Sequence, residues 1–204
     1  MKKYSKIGIV ATIALVTPLC ATHDVTASVV VFNSQQGYDL VTPQFGISNA
    51  TFALTEFDGL YDSISGGEGA DRWSVESASG VNGVLGEWIT AANPMEQLFV
   101  QFQSDEVFGV GGTFYVIDDL GQSVGGIMRL TLSDGTTFFN DLSPEGMFAG
   151  FVSTDLSIKS LSIYAFSEGS IQAAAISDLT VGVIPAPASL MLLSVGLGLR
   201  RRRS

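Results

Sequence analysis

Met128-Arg129-Leu130-Thr131-Leu132-Ser133-Asp134-Gly135-Thr136-Thr137-Phe138-Phe139 reads as two strand-forming runs joined by an Asp-Gly turn. Such a pair between β-prone residues is the strongest short-range hairpin signal, because glycine takes the positive φ that a tight turn between twisted strands demands. The same logic extends outward on both sides. Before the hairpin, Leu98 to Gln103 reads as a strand with Phe99 and Val100 marking a buried start and Gln101 and Gln103 on one alternating face. Thr113 to Asp118 is a second strand, closed by Asp119 and Gly121, where Asp118 and Asp119 form either an Asp-rich turn or an ion clamp. After the hairpin come Phe148 to Val152, then Ile158 to Phe166 with Leu161, Ile163 and Ala165 on one face and Ser160, Ser162 and Tyr164 on the other. Ile171 to Ala175 and Asp178 to Val183 complete the series. Further back, Val29 to Phe32 is a short β-rich run with Tyr38 to Val41 as its expected partner, and Ala50 to Phe57 ends at the turn signal Asp58-Gly59. No helical period is sustained and no repeat recurs, which predicts an all-β fold, a β-sandwich or jelly roll.

Both ends of the chain read as processing segments. Lys2, Lys3 and Lys6 precede an apolar stretch from Ile7 to Leu19, and Val25-Thr26-Ala27 supplies the small residues that a signal peptidase reads. Cleavage is expected between Ala27 and Ser28, ahead of the alternative after Ala21, which would place the bulky Leu19 three residues before the cut. Cys20 follows Thr17-Pro18-Leu19, which does not make a lipobox. At the other end Pro185-Ala186-Pro187 leads into an apolar run of twelve residues, Ala188 to Leu199, and then Arg200, Arg201, Arg202 and Arg203. Arginines resist translocation and stay on the cytoplasmic side, and the apolar run is shorter than the roughly twenty residues that span a bilayer as a helix. A weak, transient span followed by a basic stop suits a segment that is later cut. The expected organisation is a signal peptide over 1–27, an acidic β domain over 28–183 and a sorting or anchor segment over 184–204, its apolar part a short helix.

Setting the two ends aside changes the charge balance. The ten Lys and Arg fall to Arg72, Arg129 and Lys159, the twenty acids to nineteen, and residues 28–184 carry −16. A body this acidic argues against nucleic acid and anionic lipid, because each phosphate contact needs a cation that the domain lacks. Cys20 and His23, the only residues of their kinds, also fall in the leader. The body therefore holds no Ser-His or Cys-His nucleophile and no thiolate or imidazole zinc site. Without disulfides it must hold itself together by packing alone or with bound ions, and at about 157 residues it is large enough to do so.

Few residues in the body point to chemistry. Trp73 and Trp88 could stack on a sugar ring as exposed aromatics do, although tryptophan is more often core. The stretch Tyr61 to Arg72 reads as a loop rich in Gly and Ser, with Asp58, Asp62, Glu68 and Asp71 around it. It is either an ordinary solvated loop or a calcium site, but it lacks EF-hand spacing. Gly66-Gly67-Glu68-Gly69 is no phosphate cradle, since no lysine follows and no βαβ unit surrounds it. Acid pairs such as Glu87 and Glu96 could act on a glycosidic bond, yet nothing in the sequence selects a pair. The expectation is a protein without catalytic residues.

The tail resembles the PEP-CTERM sorting signal of Gram-negative bacteria, with Pro185-Ala186-Pro187 standing where that family has Pro-Glu-Pro. The resemblance implies an exosortase-type processing enzyme as partner beside signal peptidase, transient residence in the inner membrane, and delivery to the cell envelope, cell surface or extracellular matrix. The body also resembles exported β-sandwich domains commonly joined to such tails, on Phe108-Gly109, Ser133-Asp134-Gly135, Phe148-Ala149-Gly150-Phe151 and Ile176-Ser177-Asp178-Leu179-Thr180-Val181. Two functional readings follow. One is a non-enzymatic surface or matrix protein without cofactor. The other is a secreted carbohydrate-binding module, with or without calcium, whose partner is an exopolysaccharide.

Overall fold

A computed structural model describes residues 28–166 and 171–185. The leader with Ala27, and the tail with Ala186, Pro187 and Arg200 to Arg203, lie outside the described residues, so only Ser28 and Pro185 of the two expected processing sites are placed. Among the described residues no helix is long and apolar enough to cross a membrane.

The chain is all-β, as expected. Its strands are β1 (Val29–Phe32), β2 (Ser48–Ala53), β3 (Gly59–Gly66), β4 (Trp73–Val84), β5 (Trp88–Ala91), β6 (Leu98–Phe102), β7 (Val107–Asp118), β8 (Ser123–Val124), β9 (Gly126–Leu132), β10 (Thr137–Leu142), β11 (Met147–Ser153), β12 (Ser160–Phe166) and β13 (Gln172–Val183). They form one antiparallel sheet in the order β1-β11-β7-β13-β5-β4-β6-β12-β9-β10, with β2 on β13, β3 on β4 and β8 on β7. The sheet curls so that its two halves face each other. Phe151 of β11 stacks on Phe138 of β10 at 4.7 Å between centroids, and Phe52 of β2 meets Trp73 of β4 at 5.6 Å. Val110, Phe114, Leu179 and Val181 from one half share a core with Val100, Leu130, Leu161 and Ile163 from the other.

Alternation fixes this register. In β6 and β12 every second residue is buried, and full burial of a Leu or Ile side chain contributes about 1.5–3 kcal/mol over leaving it exposed. A slip of one residue would bury Ser162 and Tyr164 and expose Leu161 and Ile163. The Asp-Gly hairpin forms as expected, with Thr137 opposite Thr131 and Gly135 at φ 86°. Asp134 holds the turn by accepting the N–H and Oγ1 of Thr136, both at 2.8 Å.

Four expectations are corrected. Tyr38 to Val41 does not pair with β1; it belongs to a short helix, α1 (Gln35–Val41), capped by Ser34, whose Oγ accepts the Gly37 N–H at 3.2 Å. What selects the helix is packing on the outer face of the sheet, where Tyr38 lies over three glycines on neighbouring strands. A Cβ at Gly109 of β7 would run into its hydroxyl and one at Gly150 of β11 into its ring, while one at Gly182 of β13 would meet Ile47 and Asn49 and crowd the same hydroxyl. Tyr61 to Arg72 is not simply a loop, because Gly59–Gly66 pairs along β4 and buries Ile64 between polar neighbours. Its Ser and Asp side chains face solvent, which hides a strand from a reading by composition. Phe99 is no buried start, since it points outward from β6. Finally, the two runs expected at 171–175 and 178–183 are one strand. A bulge at Ser177 lets β13 pass from β5 to β2 without leaving β7.

Candidate functional site

The outward faces of β6, β12, β9 and β10 carry a continuous strip of side chains whose rows follow from the register. Tyr164 lies opposite Arg129, and Arg129 opposite Phe139. One step along the strands stand Phe166, Ile127 and Asp141; one step the other way stand Ser162, Thr131 and Thr137, with Phe99 across from Ser162. The first two rows are an exposed aromatic platform. Phe139 is 62% exposed, Ile127 48% and Phe166 37%, although burying any of them would be favourable.

The platform is ordered by its own contacts. Phe139 and Phe166 lie 5.9 Å apart between centroids, and Tyr164 meets Phe166 edge-on at 5.2 Å. The guanidinium carbon of Arg129 sits 5.2 Å from the Tyr164 centroid and 5.4 Å from that of Phe166. Two ring faces thus hold the cation by their quadrupoles and restrict its long stem. Among the described residues the ion pair formed is Lys159 with Asp105, so the groups engaging Arg129 here are aromatic.

The other end of the strip is polar and also fixed. Ser162 Oγ donates to Gln97 Oε1 at 2.6 Å, Gln101 donates its amide to Glu76 of β4, and the hydroxyls of Thr131 and Thr137 are 3.3 Å apart. A surface with flat apolar rings at one end and oriented amide and hydroxyl groups at the other can hold a ligand that is itself apolar on one face and hydroxyl-rich at its edges. A pyranose ring has that character.

The residues singled out by sequence lie elsewhere. Trp73 is only 2% exposed, its ring filling the space over Gly66 and against Phe52, and Trp88 is 9% exposed beside Tyr115 at 5.4 Å. Neither offers a face to a sugar, because burying an indole gains more than exposing it. Both Nε1 groups are buried without a hydrogen-bond partner. The four acids of the expected calcium loop do not gather: among the described residues no three His, Cys, Asp or Glu side chains come together to hold a metal. Glu68 and Asp71 instead cap each other's backbone at the 3-10 turn Gly69–Asp71. Asp118 takes the turn role rather than the clamp, accepting the N–H groups of Leu120 and Gln122 at 3.0 and 2.8 Å.

Glu96 is tied to β4 by hydrogen bonds. Ser79 Oγ and N–H donate to it at 2.6 and 2.7 Å, joined by Ser77 Oγ at 2.9 Å and Asn93 Nδ2 at 3.0 Å. These donors, Ser79 foremost, hold its carboxyl below the usual range, the opposite of what protonating a leaving group requires. The residues that do form an exposed cluster were legible only in part. Tyr164 stands on the polar face of an expected strand with Phe166 in step, but pairing them with Arg129 and Phe139 needs the register between strands.

No family model matches the sequence, and no curated protein matches it. Among solved structures, the chain is similar to a family 29 carbohydrate-binding module from Piromyces equi, at 9% identity and a TM-score of 0.38, over 67% of this chain and 91% of that one. It is similar to a family 35 carbohydrate-binding module from Clostridium thermocellum at 14% identity and TM-score 0.35, over 66% and 97%. The xylan-binding domain from Paenibacillus barcinonensis aligns at 13% identity and TM-score 0.33, over 67% and 94%. Similarity at this level transfers neither ligand nor binding residues to this chain.

Proposed function

We propose that this chain is an exported, non-enzymatic protein of the cell surface or extracellular matrix whose β domain holds polysaccharide against the outward strip of β6, β12, β9 and β10. The observation that carries the binding reading is the cluster of Phe139, Phe166 and Tyr164 around Arg129 on a solvent-facing sheet. Large exposed rings on an otherwise acidic, soluble surface mark interaction sites. The −16 charge of the body disfavours nucleic acid, the other polymer that stacks on rings. The absence of Cys and His between residues 28 and 184 supports a role without catalysis.

Export and sorting rest on the order of segments in the sequence: a leader, a body, then Pro185-Ala186-Pro187, an apolar run and four arginines. In this reading signal peptidase and an exosortase-type enzyme remove the two ends.

Affinity electrophoresis of the exported protein in gels containing exopolysaccharide tests the binding reading. Retardation that Phe139→Ala and Phe166→Ala each reduce is expected, and unretarded migration overturns it. Intact mass of the exported form tests the sorting reading, which requires that Arg200 to Arg203 be absent.

A further inference from the structure

We propose that the strip is built for a sparsely acidic polysaccharide, a chain of mainly neutral sugars with a single carboxylate in each repeat. The carboxylate pairs with Arg129 while neighbouring pyranose rings lie on Phe139 and Phe166. This inference rests on the reading that the strip binds polysaccharide, and adds the class of polymer.

The charge pattern of the face carries it. Arg129 stands in the middle row of the strip with a ring on each neighbouring strand, Tyr164 on β12 and Phe139 on β10. Asp141 stands one row away on the same face of β10, and Glu76, bonded to Gln101, lies beyond β6. The cation thus has one acid diagonally beside it, Asp141, and a second, Glu76, three strands away at the far edge of the strip. A carboxylate opposite Arg129 gains a charge-assisted, bidentate pair, whereas a second carboxylate close by would meet Asp141, and one further along the strip Glu76.

The body as a whole repeats the pattern. It has three cations against nineteen acids, and Lys159 is engaged with Asp105. A polymer with a charge on every sugar is disfavoured by the field of the domain, while an isolated charge is not. Holding Arg129 between Tyr164 and Phe166 also fixes the guanidinium before a ligand arrives, which lowers the ordering cost of the pair.

Calorimetry on the exported protein with three probes tests this. The probes are gellan, whose repeat carries one uronate among neutral sugars, carboxyl-reduced gellan, and alginate, in which every sugar is a uronate. Gellan is expected to bind about tenfold tighter than its reduced form, the size of one charge-assisted hydrogen bond, and alginate no better than the reduced form. Arg129→Gln is expected to bring the gellan ratio to about one, because it weakens gellan more than the reduced polymer, and Arg129→Lys to restore part of it. Unchanged thermal melts exclude a folding effect. Equal binding of gellan and its reduced form, or tightest binding of alginate, overturns the proposed class. The polysaccharide reading stands in either case if Phe139→Ala still weakens binding. No binding of any probe overturns both.

Discussion

The backbone N–H of Ser28 donates to Oδ2 of Asp155 at 3.3 Å, joining residues 127 positions apart. The Ser28 carbonyl accepts the N–H and Oγ1 of Thr154, at 3.1 and 3.2 Å, at the start of β1. Cleavage after Ala27 would turn that N–H into an α-ammonium facing a carboxylate. Amino-terminal sequencing of the exported protein is expected to begin at Ser28; a start at Thr22 overturns the assignment. Asp155→Asn is expected to lower the melting temperature by a few degrees at most, since exposed pairs contribute about 0–1 kcal/mol. An N-acetylated Ser28 should remove most of that difference.

Tyr38 tests the glycine-paved slot. Its hydroxyl is buried without a partner, and burial, with the Asp39 carboxylate second, pushes its phenol far above the ordinary range. Tyr38→Phe is expected to be neutral or to stabilise by up to about 1 kcal/mol in urea denaturation. Gly109→Ala, whose methyl would meet that hydroxyl, is expected to destabilise by about 1–3 kcal/mol. The double variant should recover a good part of the loss, and strict additivity would show that the two groups do not meet.

Glu96 ties the turn after β5 to β4, and its folded-state pKa is depressed from 4.5. A depressed carboxyl contributes stability that is fully present above its unfolded value and is lost as pH falls through the folded one. Wild type is therefore expected to melt above Glu96→Gln at neutral pH, with the gap closing in acid below pH 4.5. A gap that stays constant down to the acid transition contradicts the role given to its ionised form.

Trp73 is expected to behave as core. Trp73→Ala should cost about 3–5 kcal/mol, while Trp73→Phe should fold and retain polysaccharide binding. Since both tryptophans are buried away from the strip, saturation with ligand should leave Trp emission unshifted. A shift on binding would return Trp73 or Trp88 to the site.

The sequence carried the fold where burial alternates strictly, as in β6, β12 and the β9–β10 hairpin, because period two and an Asp-Gly turn are local signals. It failed where tertiary packing chose the structure. Tyr38 is helical because glycines from β7, β11 and β13 leave room for its ring, and no local signal near residue 38 encodes them. β3 was hidden because its exposed side carries loop-type residues. The site was missed for a related reason. Tryptophan draws attention by chemistry, but exposure decides what a ring can meet, and the exposed rings are Phe139 on β10 and Phe166 on β12, brought together across Arg129 of β9 only by register.

β13 has a mechanical consequence. It is flanked along its length by β7 on one side and by β5 and then β2 on the other, and it leads straight to Pro185. A pull applied at Pro185 along the strand loads those ladders in shear, so many hydrogen bonds resist together rather than opening one at a time. The strip on β6, β12, β9 and β10 lies in the other half of the curled sheet and is joined to β13 through β5 and β4 as well as across the hydrophobic core, so a polymer held there as proposed would load both paths. The most heavily paired strand of the described fold is thus the one that such a pull would reach first.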